Sequence, residues 1–384
     1  MALSGSKAIF KKKTPDPTAA SLSMNQNKES ALVVTIKDIA KYTGISRGTV
    51  DRVLNHRGKV SEEKRIVIEN AVRELGYEPN VAAQGLAVTK KKLKIAFTAP
   101  DEEIAPVFRA VREGAEDFAE KLKPYGVNVI FIPLGGLPEI DDLKISEYLR
   151  NEDIDGWCCG GYSVSTVRRL TTAAGQDVPI VGYNIKDKPE TCIGYVGCDY
   201  FKAGRVACGV LAMMIGRKGR VAVINYGPPE IISFSERYAG FLQEMSRSYP
   251  QMSVSQEIFY GEMGDLSYNR EKLKGSVQQM IQTDRPDAVY LVNPGDYSSC
   301  RVIARAFGER RIPIVTNDLI SESRSLLDNG LIDAMIDQEP RKQGSKSLEI
   351  LFDYLAYGKK PENFWYETKL GVVIRQNAED YMRT

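Results

Sequence analysis

The sequence predicts two unlike parts: a small all-α head of three helices, followed by a two-lobed α/β domain built on two doubly wound parallel sheets. Three observations support this prediction. Helical patterns separated by glycine occupy residues 36–77, strand-like runs alternate with helical stretches from residue 93 onward, and 384 residues exceed what one ordinary core holds. We predict a disordered leader at 1–30, the head at 31–78, a hinge or linker at 79–92 and the two-lobed domain at 93–384.

In the head, apolar residues at helical spacing predict each helix. The first, 36–42, follows Thr35 as N-cap and ends at Gly44, a residue type that adopts the left-handed turn at little cost. The second runs from Arg47 to Leu54, and a longer third helix follows Ser61. Two helices joined by a glycine-containing turn form a helix-turn-helix.

In the larger domain, regular alternation of strands and helices predicts parallel sheets covered by helices on both faces. Ligands of such sheets bind at the carboxyl ends of the strands. We assign 93–198 plus 319–340 to the first lobe and 199–318 plus 341–384 to the second. The predicted strands are 94–98, 128–133, 156–159, 179–183, 221–225, 255–260, 288–293, 313–317 and 334–337.

The composition is that of a soluble globular protein, with 43% hydrophobic and 27% charged residues, and no apolar run is long enough for a membrane span. Six cysteines, most of them inside apolar runs, fit buried free thiols in a reducing cytoplasm. None of the six cysteines lies in a CxxC pair and His56 is the single histidine, so we expect no metal site and no cofactor. The lack of further histidines also disfavours a hydrolase, and we expect no catalytic residues.

Charge is distributed unevenly along the chain. The formal charge is +3 in residues 1–30, +5 in 31–92 and −6 in the remainder. A basic head on an acidic body predicts a nucleic-acid contact confined to one end. The leader is either a tail without a role or a basic arm that contacts DNA.

The head motifs carry a family resemblance. Residues 35–40 (TIKDIA), 44–55 (GISRGTVDRVLN) and 76–80 (GYEPN) resemble the DNA-binding segment of the LacI/GalR family of bacterial regulators. The resemblance implies that the second helix lies in the major groove, with Arg47 and Gly48 at the base-reading positions. It implies DNA contacts from Thr35, Arg47, Gly48, Thr49, Arg52, Asn55 and Lys59.

Arg47 can offer a bidentate pair of donors to guanine, whereas Gly48 offers no side chain. The remaining contacts resemble phosphate or sugar contacts, which fix register more than sequence. The alternative for Arg47 and Lys59 is a solvated helix face. Asp51 departs from the family, which usually has serine there. It would read a cytosine amine, pair with an arginine or face away, and we favour a pair within or between helices.

The linker 81–87 (VAAQGLA) resembles the hinge helix of the same family, which folds in a dimer on DNA and opens the minor groove. Leu86 stands where relatives place an intercalating leucine, and Ala83 joins the predicted contacts. Gly85 weakens an isolated helix by about 1 kcal/mol relative to alanine, which suits a segment that folds only on DNA. A plain flexible linker is the alternative.

The body resembles periplasmic sugar-binding proteins and the effector domains of the LacI/GalR family over about 93–375. Its landmarks include 196–205 (VGCDYFKAGR), 237–241 (RYAGF) and 315–318 (VTND). The resemblance assigns sugar contacts to Arg237, Asp318 and Gln338, and Asn293 lies at another strand end. The complete predicted effector set is Phe108, Tyr162, Asn184, Arg237, Asn293, Asp318 and Gln338.

An arginine fork beside a carboxylate suits vicinal hydroxyls, because each hydroxyl both donates and accepts. Phe108 and Tyr162 offer aromatic faces for a sugar ring, with core packing as the alternative for Phe108. For Arg237 and Asp318 the alternative is a structural ion pair. Tyr162 and Asn184 replace charged residues common in relatives, so the ligand is a sugar, a modified sugar, a polyol or another polar metabolite.

The sequence thus predicts a DNA-binding transcription regulator, a repressor by preference, whose operator affinity falls when a small effector closes the two lobes. Its partners would be double-stranded operator DNA, the effector and a second copy of the chain, since a palindromic operator mirrors two-fold symmetry. A tetramer stays open. The main rival is a solute-binding receptor without a DNA role, and a third candidate is a sugar-processing enzyme.

Overall fold

The computed structural model describes residues 34–54, 60–77, 89–102, 105–135, 138–160, 164–184, 192–227, 229, 232–260, 270–294, 297–308 and 310–382. Leader 1–30 and most of the linker lie outside these ranges, as do the predicted site residues Asn55, Lys59, Ala83, Leu86 and Tyr162. The chain divides into two units, 1–79 and 80–384. Each unit is described by itself.

The head unit contains three helices: α1 (Ile36–Thr43), α2 (Arg47–Leu54) and α3 (Glu62–Leu75). Helix α1 begins where the Asp38 carboxylate accepts from the Thr35 amide at 2.8 Å and from its hydroxyl at 2.6 Å. It ends at Gly44, whose φ of 66° is the left-handed turn predicted there.

The core of the head is small and apolar. Ile39, Val50 and Ile68, one from each helix, are fully buried and contact one cluster. A three-helix head of this size therefore depends on a few interlocking aliphatic side chains.

The larger unit contains two six-stranded sheets. In the first sheet the strand order is β11-β5-β4-β3-β1-β2, and all its pairings are parallel. In the second the order is β12-β10-β9-β8-β6-β7, where only the β12–β10 pair is antiparallel. The strands are β1 (Lys94–Pro100), β2 (Asn128–Leu134), β3 (Gly156–Gly160), β4 (Ile180–Tyr183), β5 (Gly194–Gly197), β6 (Lys218–Tyr226), β7 (Gln251–Tyr260), β8 (Ala288–Leu291), β9 (Ile314–Asn317), β10 (Ala334–Asp337), β11 (Trp365–Glu367) and β12 (Gly371–Val373).

Helices cover both faces of each sheet, so four apolar clusters form the cores of the two lobes. Most strand positions are buried on both sides, as expected for parallel strands. The helices are α4 (Val107–Leu122), α5 (Pro138–Asn151), α6 (Val164–Ala173), α7 (Tyr200–Met214), α8 (Ile232–Ser248), α9 (Arg270–Thr283), α10 (Ser298–Phe307), α11 (Ser321–Asp328), α12 (Pro340–Tyr357) and α13 (Ala378–Met382).

The predicted lobe boundaries after residue 318 are wrong. Residues 321–337 form α11 and β10, and β10 pairs with β9 in the second sheet, so this segment belongs to the second lobe. Residues 340–367 form α12 and β11, which pack in the first lobe. Consecutive strands joined by one helix usually stay adjacent in a sheet, and β9, α11 and β10 follow that rule.

The chain therefore crosses between the lobes three times: after β5, after β10 and after β11. The crossings touch one another, because the Thr368 amide donates to Gly197 O at 2.9 Å and the Lys369 amide to the Glu339 carboxylate at 2.7 Å. An ion pair at 2.8 Å also joins Arg109 of α4 to Glu322 of α11. These contacts define the hinge of the two-lobed domain.

Each lobe contains one pair of helices that approach closely through glycine. In the second lobe, a Cβ at Gly204 of α7 would lie 1.8 Å from Arg237 O of α8, and one at Gly240 would lie 1.9 Å from Phe201 O. In the first lobe, Gly114 of α4 and Gly344 of α12 make the same kind of contact, at 1.9 Å from Arg341 O and from Val111 O. Main-chain atoms of the paired helices thus touch directly.

Candidate functional site

The second helix of the head presents its predicted DNA-contacting residues on an exposed surface. Arg47, Gly48 and Arg52 are exposed, and a Cβ at Gly48 would meet nothing within 4 Å. The Arg52 guanidinium donates to Gly48 O at 3.1 Å and to the Thr49 hydroxyl at 3.2 Å. Arg52 and Thr49 therefore form one polar group on the helix, next to the unpacked Gly48.

Thr35 and Ser46 lie at the amino-terminal ends of α1 and α2. Thr35 is exposed at the start of α1, and the Ser46 hydroxyl lies 2.9 Å from the Thr49 hydroxyl at the start of α2. Asp51 is half-buried. Burial of the Tyr77 hydroxyl raises its pKa, and the negative charge of Asp51 adds a smaller rise. The pairing of Asp51 with an arginine stays a prediction.

In the two-lobed unit, polar side chains lie at the carboxyl ends of four strands of the second sheet. Asn225 is the second-last residue of β6, Asn293 lies two residues after β8, Asp318 follows β9 and Gln338 follows β10. All four are buried or half-buried. The Asn293 side-chain amide donates to Asn225 Oδ1 at 2.8 Å, and the Gln338 side-chain amide donates to the Asp318 carboxylate at 2.5 Å.

Arg237 of α8 lies against this row with 2% of its surface exposed. Its Nη1 donates to Asn293 Oδ1 at 3.0 Å, and its guanidinium lies 4.8 Å from the centre of the Tyr200 ring. Its Nε is buried without a hydrogen-bond partner in the described part of the chain. An unsatisfied buried donor on a charged group is costly, and a ligand acceptor would satisfy it.

Asp318 is the negative charge of the same group. Burial raises the pKa of its carboxyl, and Arg237 and the Gln338 amide oppose that rise. The backbone at Asp318 is left-handed, with φ at 66°, and the Tyr297 hydroxyl donates to its carbonyl oxygen at 2.6 Å. Arg237 and Asp318 thus belong to the same buried polar cluster, but their side chains bond to different residues.

From the first lobe, Asn184 follows β4 and its side chain is buried. Its φ is 63°, and its carbonyl oxygen accepts from the Tyr195 hydroxyl at 2.5 Å and from the Tyr200 hydroxyl at 2.9 Å. Its amide donates to Gln343 at 3.2 Å. The structure thus joins Asn184 to Gln338 through Gln343, a residue absent from the prediction.

Phe108 packs in the core of the first lobe, which was the stated alternative to a sugar-stacking role. Its ring centre lies 6.4 Å from that of Tyr183, and 6% of its surface is exposed. It also lines a cavity of about 350 Å³ at the ends of β1 and β2, together with Phe97 and Phe131.

Asp337 is a second buried carboxylate beside this site, with 5% of its surface exposed. Burial, with a smaller contribution from the nearby charge of Asp318, raises the pKa of its carboxyl to about 6, although the Glu339 amide donates to it at 2.8 Å. A carboxyl with a raised folded-state pKa stabilises the fold at low pH, and that contribution is lost as pH rises through the folded-state value.

We therefore expect the Asp337→Asn variant to be more stable than the parent at pH 8, by up to about 3 kcal/mol, and to lose this advantage near pH 4. The asparagine oxygen can still accept from the Glu339 amide. Urea unfolding from pH 4 to pH 8 measures the difference. Asp155→Asn, which removes another carboxylate that accepts a main-chain amide, is the control. An equal pH slope in Asp337→Asn and the parent would contradict the assignment.

Among the described residues, no cluster of three or more His, Cys, Asp or Glu side chains is arranged to hold a metal ion, and all six cysteines are free and buried. No helix in the described ranges is both long and apolar enough to cross a membrane.

Comparison with known families agrees with both units. Residues 35–80 match the model of bacterial regulatory proteins of the lacI family, and residues 95–360 match the periplasmic binding protein domain. The chain is 26% identical over 274 residues to the HTH-type transcriptional regulator DegA of Bacillus subtilis, covering 71% of this chain and 76% of that one. It is 28% identical to the ribose operon repressor of Lactococcus lactis, covering 66% and 69%.

Solved structures show the same fold. A periplasmic ribose ABC transporter protein of Conexibacter woesei superposes with a TM-score of 0.63 at 17% identity, covering 76% of this chain and 95% of that one. The glucose-galactose binding protein GanP of Geobacillus stearothermophilus gives 0.61 at 20% identity, covering 74% and 98%. With its helix-turn-helix head and its two-lobed binding domain, the chain belongs to the LacI family of DNA-binding transcriptional regulators.

Proposed function

We propose that this regulator is a repressor whose operator affinity is lowered when a small polyhydroxylated effector binds between the two lobes. The observation that carries the proposal is the buried row of Asn225, Asn293, Asp318 and Gln338 at adjacent strand ends, with Arg237 against it. The carboxyl ends of strands in doubly wound sheets are where ligands bind.

The chemistry of the row favours hydroxyl groups as ligands. Amides, one carboxylate and one guanidinium supply donors and acceptors side by side, and a sugar hydroxyl uses both kinds. The unpartnered Arg237 Nε needs an acceptor, which a ring or hydroxyl oxygen provides. Tyr162, Asn184 and Phe108 complete the proposed set, with Phe108 acting from the core beneath it. A relative named for a ribose operon, and solved relatives with bound D-allose or myo-inositol, support this ligand class.

For DNA, we propose that Arg47 reads guanine and that Gly48 leaves its base uncontacted by a side chain. Thr35, Thr49, Arg52, Asn55 and Lys59 would contact the backbone, while Ala83 and Leu86 would enter the minor groove. The exposure of Arg47 and Arg52 and the +5 charge of residues 31–92 support this interface. A homodimer follows from a two-fold operator, and a protein acting on the chromosome belongs in the cytoplasm.

The last linker residues are fixed to the first lobe, which supports coupling between effector and DNA. Lys91 Nζ donates to Leu355 O at 2.7 Å and to Ala356 O at 3.0 Å, at the carboxyl end of α12. A cation is favourable at that end of a helix. Helix α12 begins at the hinge after Gln338, so lobe closure would move the end of the linker that Lys91 ties to this helix.

We expect the Arg47→Ala variant of the full chain to bind its operator about 10- to 100-fold more weakly, because a bidentate contact to guanine is worth about 1–3 kcal/mol. The operator is obtained by selecting duplexes from a random-sequence pool with the parent protein, and binding is measured by fluorescence anisotropy. Arg73→Ala, which removes another exposed arginine of the head, is the matched control. Equal losses of operator affinity in both variants would mean that Arg47 contributes only its positive charge and does not read a base.

The same assay tests the effector. Adding D-ribose, D-allose, D-arabinose or myo-inositol should weaken binding of the parent to the selected duplex, and Asp318→Asn should abolish that response while leaving DNA binding intact. Failure to select any duplex would favour the solute-receptor alternative. Selection without a response to any of the four compounds would contradict the ligand class.

A further inference from the structure

A line of buried amides connects the two lobes beneath the proposed effector site. Asn184 Nδ2 donates to Gln343 Oε1 at 3.2 Å, and Gln343 Nε2 donates to Gln338 O at 3.1 Å and to Gln338 Oε1 at 3.3 Å. Gln338 Nε2 then donates to the Asp318 carboxylate at 2.5 Å. Asn184 and Gln343 belong to the first lobe, and Asp318 belongs to the second, so the line crosses the hinge.

The first-lobe end of this amide line is fixed. The Asn184 carbonyl oxygen accepts from two tyrosine hydroxyls, and the Tyr200 hydroxyl also lies 3.2 Å from Asn184 Oδ1. Gln343 is fully buried next to Gly344, where α12 touches the main chain of α4. Neither side chain can therefore turn to solvent to satisfy its amide.

The amide line also has a direction. Each member donates to the next, and the last acceptor is a carboxylate, which can only accept while it is ionised. Gln338 Oε1 accepts from Gln343 and from the Cys198 thiol at 3.1 Å, so its amide nitrogen points to Asp318. Gln343 and Cys198 are thus the two donors that set the orientation of the Gln338 side chain.

We propose that Gln343 is a positioning residue of the effector site: it orients the Gln338 amide across the hinge so that this amide donates to Asp318. The proposal rests on the proposed function in one respect, that Asp318 is the carboxylate offered to the effector. Gln343 acts through Gln338 and does not itself touch the ligand.

The direction of the amide line provides a test that needs no ligand. In Gln343→Glu, the new carboxylate still accepts from Asn184 but cannot donate when ionised, so Gln338 must turn its amide nitrogen toward position 343. Its oxygen then faces the Asp318 carboxylate, which is unfavourable. Adding Asp318→Asn supplies an amide that donates to that oxygen. The double variant therefore reverses the direction of donation and keeps the number of carboxylates.

The experiment is a double-mutant cycle on the melting temperature of the full chain at pH 8 without effector. We expect Gln343→Glu to melt lower than the parent, and the double variant to melt higher than the sum of the two single effects predicts, by about 2 °C or more. The matched control pairs Asp318→Asn with Gln176→Glu, which alters a bridging amide of the first lobe remote from the site. The losses in the control pair should add.

Additive losses in both cycles would overturn the proposal. If Gln343→Glu alone yields no folded protein, recovery of folded protein in the double variant supports the proposal, and failure of both while Gln176→Glu folds overturns it. For a compound that releases the parent from DNA, Gln343→Glu should weaken the response about tenfold at pH 8, and Gln176→Glu should not. If no compound acts on the parent, the proposed function fails while the melting cycle still decides the role of Gln343.

Discussion

Replacing Gly204 with alanine is expected to lower the free energy of unfolding by about 3 kcal/mol or more, a large effect for one methyl group. The added Cβ would lie 1.8 Å from Arg237 O, 2.7 Å from its carbonyl carbon and 2.9 Å from the Phe241 amide nitrogen. These are main-chain atoms, so no side-chain rotation relieves the overlap and α7 and α8 must separate. Urea unfolding of the variant measures the loss.

Gly209→Ala is the matched control, because it lies on the same helix and its Cβ would come no closer than 3.7 Å to another group, the Tyr249 hydroxyl. There alanine should stabilise the helix by up to about 1 kcal/mol. Since the atom displaced in Gly204→Ala is the carbonyl oxygen of Arg237, that variant should also lose the response to effector. A Gly204→Ala protein as stable as the parent would mean that the two helices are not in main-chain contact.

Replacing Arg237 with methionine is expected to cost about 3–5 kcal/mol at pH 8, because it removes the cation that faces a buried carboxylate. Methionine fills much of the same space over the Tyr200 ring, so the loss is mainly electrostatic. The pKa of Asp318, already raised by burial, should rise further without Arg237. The sign is that of a raised acid: the deficit is largest above the folded-state pKa and shrinks as pH falls through it.

Unfolding of Arg237→Met at several pH values measures this deficit, and adding Asp318→Asn should recover part of it at pH 8. The control is Arg205→Met on the neighbouring helix, which breaks a partly exposed ion pair with Glu244. Such pairs contribute about 1 kcal/mol or less. If Arg205→Met costs as much as Arg237→Met, the buried position of Arg237 has no special electrostatic role.

The sequence was sufficient for the head and for most strands. The spacing of Ile39, Val50 and Ile68 and the glycine at 44 predict helices that the structure contains with nearly the same bounds. The apolar runs ending in Asn293 or Asp318 predict both a strand and a polar residue at its carboxyl end. Asn225, the last residue of the predicted strand 221–225, carries the same signal.

Other features have no local signal. Strands β11 and β12 have three residues each, too few for a period to appear, and their sheets are decided by which edge they reach. In the sequence, Gln343 is one polar residue among others in the first turn of a helix. Its burial arises from the crossing of α12 and α4, which local sequence does not indicate. The error in lobe boundaries has the same origin, because a crossing between sheets leaves no mark in composition.

The three crossings between the lobes also govern the order in which the protein can be completed on the ribosome. β11 and β12 are edge strands of different sheets, and both come from the last twenty residues of the chain. Helix α12 supplies Leu348, Leu351 and Phe352 to the core of the first lobe. Within the two-lobed domain, synthesis begins with the strands of the first lobe, yet neither lobe has all its strands until residue 373 has emerged. The two lobes therefore reach their final form at nearly the same moment, with the hinge formed last.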